Sequence, residues 1–277
     1  MAENQQQKIM AHYDNQELLN RIIEKLAKSG REFSSLRLND LDALDELHVG
    51  GKKASRELAR KAGLNPKSRV LDVGSGIGGP ARLLSVEFDL EVVGLDLTFS
   101  FCRAANILSN TVDVRQNLGF VNGDALHLPF KPGSFDALWS QHSSMNIPDK
   151  KKLYQDCFHV LKKEGKLLIH DILTGDGPMP SYPVPWAATM ENSFLVSGEE
   201  QQALLKQAGF KIIYWEDISE KALSWQIQAK TKEPGKTPPL LNHRLVYGEP
   251  IKEMASNLAK NLSENRIKIV EAICQKP

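Results

Sequence analysis

Apolar residues recur along this chain with two different periods, and the switching between them outlines a fold. Leu18, Leu19, Ile22, Ile23 and Leu26 stand at helical spacing and predict an amphipathic helix from Asp14 to Gly30. Asp14 is placed to cap it, with Glu17 three residues later. Leu36, Leu38, Leu41, Leu44 and Leu47 follow among polar residues and read as short helices or turns. A helix over Lys52 to Ala62 closes at Gly63, and Asn65-Pro66 turns into a first strand.

From Val70 the pattern alternates. Short apolar runs at Val70 to Val73, Glu91 to Leu95, Leu118 to Val121, Phe135 to Ser140 and Lys166 to Ile172 predict five strands. Helical stretches separate them: one after Gly79, one from Thr98 or Ser100 to about Asp113, and one from about Pro148 to Leu161. Glu164-Gly165 reads as the turn into the fifth strand. Strands alternating with helices predict an α/β fold, a doubly wound Rossmann-like and mostly parallel sheet. Phe210 to Trp215 adds a sixth strand, and Arg266 to Gln275 reads as a last strand, with the end of a helix as its alternative. Ser197 caps a helix that ends at Gly209, and residues 216–263 read as mainly helical, broken at Glu233-Pro-Gly235 and Pro238-Pro239.

Residues 173–196 show no period. Glycines and prolines punctuate them, with Tyr182, Trp186 and Phe194 between. Aromatics are rare in disordered linkers, so this is expected to be a functional loop forming part of a lid.

Composition narrows the class without naming a function. The chain has 277 residues, 41% hydrophobic and 25% charged, with a net charge of +1. That is ordinary for a globular protein, and no basic stripe asks for nucleic acid. Lys150-Lys151-Lys152 reads as a solvated surface at a helix start. Cys102, Cys157 and Cys274 form no metal or CxxC spacing and read as small core residues in a reducing compartment. No run has membrane-spanning length, and the polar N-terminus lacks a signal-peptide core, so a cytoplasmic protein is expected.

The densest chemical signal is Val70-Leu-Asp-Val-Gly-Ser-Gly-Ile-Gly-Gly-Pro-Ala-Arg82. Strand, glycine turn and helix in succession form the entry unit of a nucleotide-binding sheet. Glycines allow a tight turn and close approach of a ligand to the backbone. Gly74, Gly76 and Gly79 satisfy G-x-G-x-x-G literally, and Asp96 lies where a ribose-binding acid would sit. The loop alone therefore leaves NAD and S-adenosylmethionine (SAM) both open. Gly74 to Gly79, Asp96, Asp124 and Ser140 to His142 all fall at the carboxyl ends of strands, the edge where such sheets bind ligands.

Four segments, Val70 to Gly79, Gly94-Leu-Asp-Leu97, Gly123-Asp-Ala-Leu-His-Leu-Pro-Phe130 and Phe135-Asp-Ala-Leu138, occur in an order and spacing that resembles the class I SAM-dependent methyltransferases. The third segment decides between the two cofactors in favour of SAM. Outside the core, Leu44-Asp-Glu-Leu-His-Val-Gly-Gly51, Met145-Asn-Ile-Pro-Asp-Lys150 and Tyr182-Pro-Val-Pro-Trp186 resemble the sarcosine/dimethylglycine methyltransferase group and its small-molecule relatives. Amine methyltransferases of that kind commonly carry Asp, then His four residues on, after the fourth strand; here those places hold His142 and Asn146.

The resemblance implies roles. Asp96, with Leu97 beside it, would take the ribose hydroxyls, and Asp124 the adenine amino group, with Ala125 supplying a backbone N–H. Gly74 and Gly76 would lie against the methionine part, Asp72 would hold the loop, and His48 and Gln141 would touch cofactor or substrate. Capping is the alternative for Asp96 and Asp124. His142 is the candidate base or positioning group, with a purely structural role as its alternative. Asn146 is either a substrate contact or a helix cap. Tyr13 and Trp186 are candidate lid or pocket residues. His127, His159 and His170 read as turn, surface and strand residues. No metal site is expected.

Three segments follow: an N-terminal helical cap over 1–65, a SAM-binding core over 66–172, and a lid loop, last strands and helical substrate region over 173–277. The expected reaction is methyl transfer from SAM to a small molecule, an amine of the sarcosine/dimethylglycine type first. A C- or O-methyltransferase of a quinone-like or natural-product acceptor is the alternative, and an NAD-binding oxidoreductase or a silent SAM-binding module the alternative of another class. The partner expected is the small-molecule methyl acceptor, with a homodimer left open.

Overall fold

The structure, a computed structural model, describes residues 17–231 and 239–277. Tyr13, Asp14 and the break at Glu233-Pro-Gly235 lie outside the described residues. Seven strands form one sheet: β1 Arg69–Val73, β2 Glu91–Asp96, β3 Leu118–Asn122, β4 Phe135–Gln141, β5 Leu161–Thr174, β6 Lys211–Asp217 and β7 Ile267–Gln275. Their order is β3-β2-β1-β4-β5-β7-β6. β1 to β5 run parallel, and β7 is antiparallel to both β5 and β6. β7 is thus the one strand that runs against its neighbours in the mostly parallel sheet that the sequence predicts.

Central strands are apolar on both faces because helices cover both. Phe135, Leu138, Leu153, Leu167 and Phe210 pack on one side, and Val70, Leu84, Val92, Trp139 and Leu168 on the other. The strand order reverses between β1 and β4, which opens a crevice at their carboxyl ends.

The helices are α1 Leu18–Lys28, α2 Gly51–Ala62, α3 Gly79–Phe88, α4 Phe99–Thr111, α5 Lys150–Val160, α6 Gly198–Gln207, α7 Ser219–Thr231 and α8 Ile251–Ser263, with a short helix Arg244–Tyr247 between the last two. Two 3-10 turns and the helix Asp42–Asp45 fill the leucine-spaced segment between α1 and α2. No described helix is long and apolar enough to cross a membrane. All three cysteines are buried and unpaired.

Several boundaries differ from the sequence reading. β5 begins at Leu161, and Glu164 and Gly165 lie inside it at a register shift against β4 instead of forming a turn before it. Thr98 occupies the start of α4 without a side-chain capping bond; the Asp96 carboxylate accepts from the Thr98 N–H instead. α5 begins at Lys150 and is capped by Asp149, which accepts from the Lys152 N–H at 2.9 Å, so Asn146 is not the cap.

The reading of the lysine run as a solvated surface fails at Lys150 alone, since Lys151 is exposed and Lys152 partly so. Lys150 is 4% exposed. Its ammonium donates to the carbonyls of Ser144 at 2.9 Å, Ile147 at 3.0 Å and Phe194 at 2.5 Å. One cation thus ties the turn after β4 to the loop before α6. Burial lowers its pKa to about 8.

Two nodes place the N-terminal segment on the crevice. Arg82 of α3 is fully buried and donates to Asp45 at 2.6 Å, to the Ile77 carbonyl at 2.6 Å and to Ser109 at 2.9 Å. A side chain at Gly79 would strike the Asp45 backbone, so only glycine lets the two segments close up here. Val49, Met145, Val184, Trp186, Ala222 and Leu258 then pack together, joining the segment before α2, the turn after β4, the 173–196 loop, α7 and α8 into a roof.

Candidate functional site

A cavity of about 420 Å³ lies under that roof, at the carboxyl ends of the strands. It is large enough for a small organic ligand. One wall comes from the glycine loop after β1. Gly76 has φ +53° and a Cβ there would meet nothing nearer than Leu47 at 3.9 Å, so the loop backbone faces open space. Asp96 ends β2 beside it. Its carboxylate accepts from the Gly76 N–H at 2.9 Å and the Thr98 N–H at 2.8 Å. Burial raises its pKa, against the pull of those two N–H groups.

Asp124 opens the turn that follows β3. One carboxylate oxygen accepts from the Leu126 N–H at 2.9 Å, and the other lies 2.9 Å from His127 Nδ1. The turn-capping role is therefore filled while the residue also lines the cavity. Asp45, Asp96 and Asp124 line this space, and no Lys or Arg does among the described residues. SAM carries a sulfonium and an ammonium, so an acidic cradle with an open glycine backbone fits it.

The opposite wall is built on the end of β4. Trp139 donates its indole N–H to Gln141 Oε1 at 3.0 Å. Indole nitrogen only donates, so the orientation of the Gln141 amide is fixed. Its nitrogen must then donate to His48 Nδ1, 3.1 Å away. That leaves the His48 proton on Nε2, which lies 3.2 Å from Ser55 Oγ and 2.6 Å from Glu46 Oε2, the latter off the line of a good hydrogen bond. His48 and Gln141 are thus locked to each other across 93 residues of sequence.

His142 follows in a left-handed conformation, φ +48°, unusual for a side chain of its size. Backbone in that region is held by its surroundings and concentrates at functional sites. Here the His142 N–H donates to the His170 carbonyl at 2.8 Å. Its ring Nε2 is buried without a hydrogen-bond partner. Burial, then His170 and His48, holds the imidazole well below its ordinary pKa, so it is neutral at physiological pH. Its unpartnered Nε2 offers a polar ligand in the cavity a hydrogen-bonding partner, and the same burial that keeps the ring neutral lowers its strength as a base.

Gly74, Gly76, Asp96, Leu97, Asp124 and Ala125 all line the cavity, as the sequence reading expected. So do His48, Gln141, His142, Asn146 and Trp186. Asp72 does not. It is 2% exposed in mid-strand, opposite Gly94 and Trp139, below the loop and not in contact with the cavity. One of its oxygens is buried without a partner, and burial, with Asp96 and Glu46 adding, pushes its pKa up to about 8. Asn146 holds the lid loop: its amide donates to the carbonyls of Trp186 at 2.8 Å and Asn192 at 3.0 Å. Trp186 is 1% exposed and donates to Ser193 at 2.9 Å.

The sequence reading missed the residues of the far wall: Gln226 from α7, His243, Tyr247, and Ile251, Ala255 and Leu258 from α8. His170, a strand residue by its sequence pattern, has its ring 5.0 Å from that of His142 and 5.9 Å from that of His48, centroid to centroid. A signal existed. His170-Asp171 are two polar residues inside the apolar run Leu167 to Leu173, at the ligand-binding edge. No group of His, Cys, Asp and Glu suited to hold a metal occurs among the described residues.

Residues 71–169 match the family described as "Methyltransferase domain". Sterol 24-C-methyltransferase erg6 of Aspergillus fumigatus is 30% identical over 178 residues, covering 61% of this chain and 47% of that protein. The chain thus spans about half the length of that relative. Among solved structures, the Haemonchus contortus phosphoethanolamine N-methyltransferase 2, in complex with phosphomonomethylethanolamine and S-adenosylhomocysteine, superposes with a TM-score of 0.68 at 21% identity, covering 92% of this chain and 60% of the other. A candidate sarcosine dimethylglycine methyltransferase from Galdieria sulphuraria superposes with a TM-score of 0.62 at 20% identity, covering 81% and 85%. Residues 71–169 therefore match a methyltransferase domain, and the fold around them is that of these solved methyltransferases. The cofactor of such domains is SAM, and the NAD reading of the glycine loop gives way.

Proposed function

We propose that the protein is a SAM-dependent methyltransferase acting on a small, uncharged and largely apolar acceptor. The observation that carries this is the far half of the cavity. Met145, Ile172, Trp186, Tyr247, Ile251 and Leu258 line it, and no cationic side chain does among the described residues. An acceptor carrying a carboxylate or phosphate would be desolvated there without a partner, at a cost of several kcal/mol. An apolar ring buries its surface instead. This favours C- or O-methylation of a quinone-like or natural-product acceptor over the amine of sarcosine or dimethylglycine.

In this reading Gly74, Gly76, Asp96, Leu97, Asp124 and Ala125 hold the cofactor, whose contribution is an activated methyl group. His48 and Gln141 form a rigid floor beside it. Asn146 and Lys150 hold the 173–196 loop shut over the acceptor, and Trp186 packs against it. Excluding water and aligning the acceptor supply most of the rate in a displacement of this kind. His142 takes the acceptor's proton. The test is an acceptor screen with methyl-labelled SAM over two arms: phenols and hydroquinones, and glycine, sarcosine and dimethylglycine. Label transfer to the first arm is expected. Transfer confined to the amino acids would replace this reading with the amine one.

A further inference from the structure

A row of polar side chains runs across one face of the sheet, from the cavity to the sheet's outer edge. Gln141 of β4 stands opposite His170 of β5, His170 opposite Glu271 of β7, and Glu271 opposite Glu216 of β6. Directly opposed residues share a face. On the same face the rows two residues away are apolar, with Leu168 opposite Ile273 and Ile172 opposite Ile269, while Asp171, opposite Val270, points to the other face. His170 and Glu271 are 0% exposed. Both ring nitrogens of His170 and Oε1 of Glu271 are buried without hydrogen-bond partners, and Nδ1 and Oε1 lie 3.8 Å apart. Each such group costs about 1–3 kcal/mol of stability. A purely structural network would satisfy them.

At its outer end the row reaches solvent. Lys61 of α2 donates to Glu271 Oε2 at 2.6 Å, to Tyr214 at 2.5 Å and to Glu216 at 3.1 Å. At its inner end the His170 ring faces those of His142 and His48, with centroids 5.0 and 5.9 Å away. His48, His142, Glu271, Lys61 and Lys221 are the titratable groups that face or act on His170.

The geometry points to this row as the exit for the proton that methyl transfer releases, running from His142 through His170 and Glu271 to Lys61 and Glu216 at the surface. It rests on the methyltransferase reading. In the reaction the acceptor's nucleophile bonds to the methyl carbon, the carbon–sulfur bond breaks with its pair left on sulfur, and one proton must leave the acceptor. His142 takes it on a ring nitrogen. His170 takes it from His142 and passes it to the free oxygen of Glu271. Once Glu271 is protonated on Oε1, Lys61 gives a proton outward to Glu216 or water, and the amine so formed takes one from the Glu271 carboxyl, which restores the ammonium and the carboxylate. His170 and Glu271 act through His142 and touch neither cofactor nor acceptor. They are positioning residues whose chemistry is proton carriage.

The test follows the exchange of the His170 ring N–H with solvent by NMR, in the histidine-labelled full chain saturated with S-adenosylhomocysteine to fill the cavity. Glu271→Gln keeps the shape of the side chain but cannot act as the carboxylate carrier. Lys61→Arg keeps the charge but does not give up its proton. Both variants are expected to slow the exchange at least about tenfold, while a merely structural role would leave Lys61→Arg at the wild-type rate. Wild-type exchange in Glu271→Gln would overturn the relay. Where that variant does not fold, Lys61→Arg decides on the same criterion. Calorimetric binding of S-adenosylhomocysteine is read separately. Failure to bind sinks the methyltransferase reading, whereas unchanged exchange with binding intact sinks the relay alone.

Discussion

Asp96 accepts a hydrogen bond from the Gly76 backbone N–H at 2.9 Å, so the acid that ends β2 also sets the glycine loop after β1. The same carboxylate holds the start of α4 through Thr98 at 2.8 Å. One side chain thereby fixes two edges of the cofactor wall. Asp96→Asn should raise the Kd for SAM roughly ten- to a hundredfold, the worth of one charge-assisted hydrogen bond, as read by calorimetry. Unchanged affinity would remove Asp96 from the cofactor site.

Lys150 is the second anchor. Replacing it with Met leaves the carbonyls of Ser144, Ile147 and Phe194 without their shared donor. A loss of about 2–4 kcal/mol in urea unfolding is expected. A variant as stable as the wild type would show that water can take over the three bonds.

Asp72 gives a pH signature. Its pKa in the folded chain is pushed up to about 8, above the ordinary 3.8, chiefly by burial. Between those values the native state binds the extra proton, so the contribution of Asp72 to stability falls as pH rises from about 4 to about 8. Asp72→Asn removes the titration. The stability gap between variant and ligand-free wild type should open across that window, from near zero to on the order of a few kcal/mol, and then stay flat. Urea midpoints at three pH values measure it. A gap independent of pH would contradict the buried, protonated state.

The sheet was legible because its signals are local. Strand runs, the glycine turn and the final strand at Ile267 follow from period and punctuation. The cavity wall along β1, β2 and β3 was legible for the same reason, since its residues end or closely follow those strands. What escaped depends on contacts between distant segments. Lys150 looks like its neighbours Lys151 and Lys152, and only the returning Phe194 carbonyl makes it interior. Asp72 was read by proximity to the loop, although it lies one residue short of the strand end and inside the sheet's packing. His170 gains its meaning from the register that sets it opposite Gln141 and Glu271. The acceptor wall draws on α7, α8 and residues 243–247, where the pattern is helical and carries no motif.

The most direct measurement is the kinetics of His142→Gln with the best acceptor from the screen, alongside calorimetry with SAM. His142 lines the shared cavity with a buried, unpartnered ring nitrogen. If it takes the acceptor's proton, kcat falls by about a hundredfold or more while SAM affinity stays within error of the wild type. An unchanged kcat, or a loss confined to SAM binding, would contradict its role as the base.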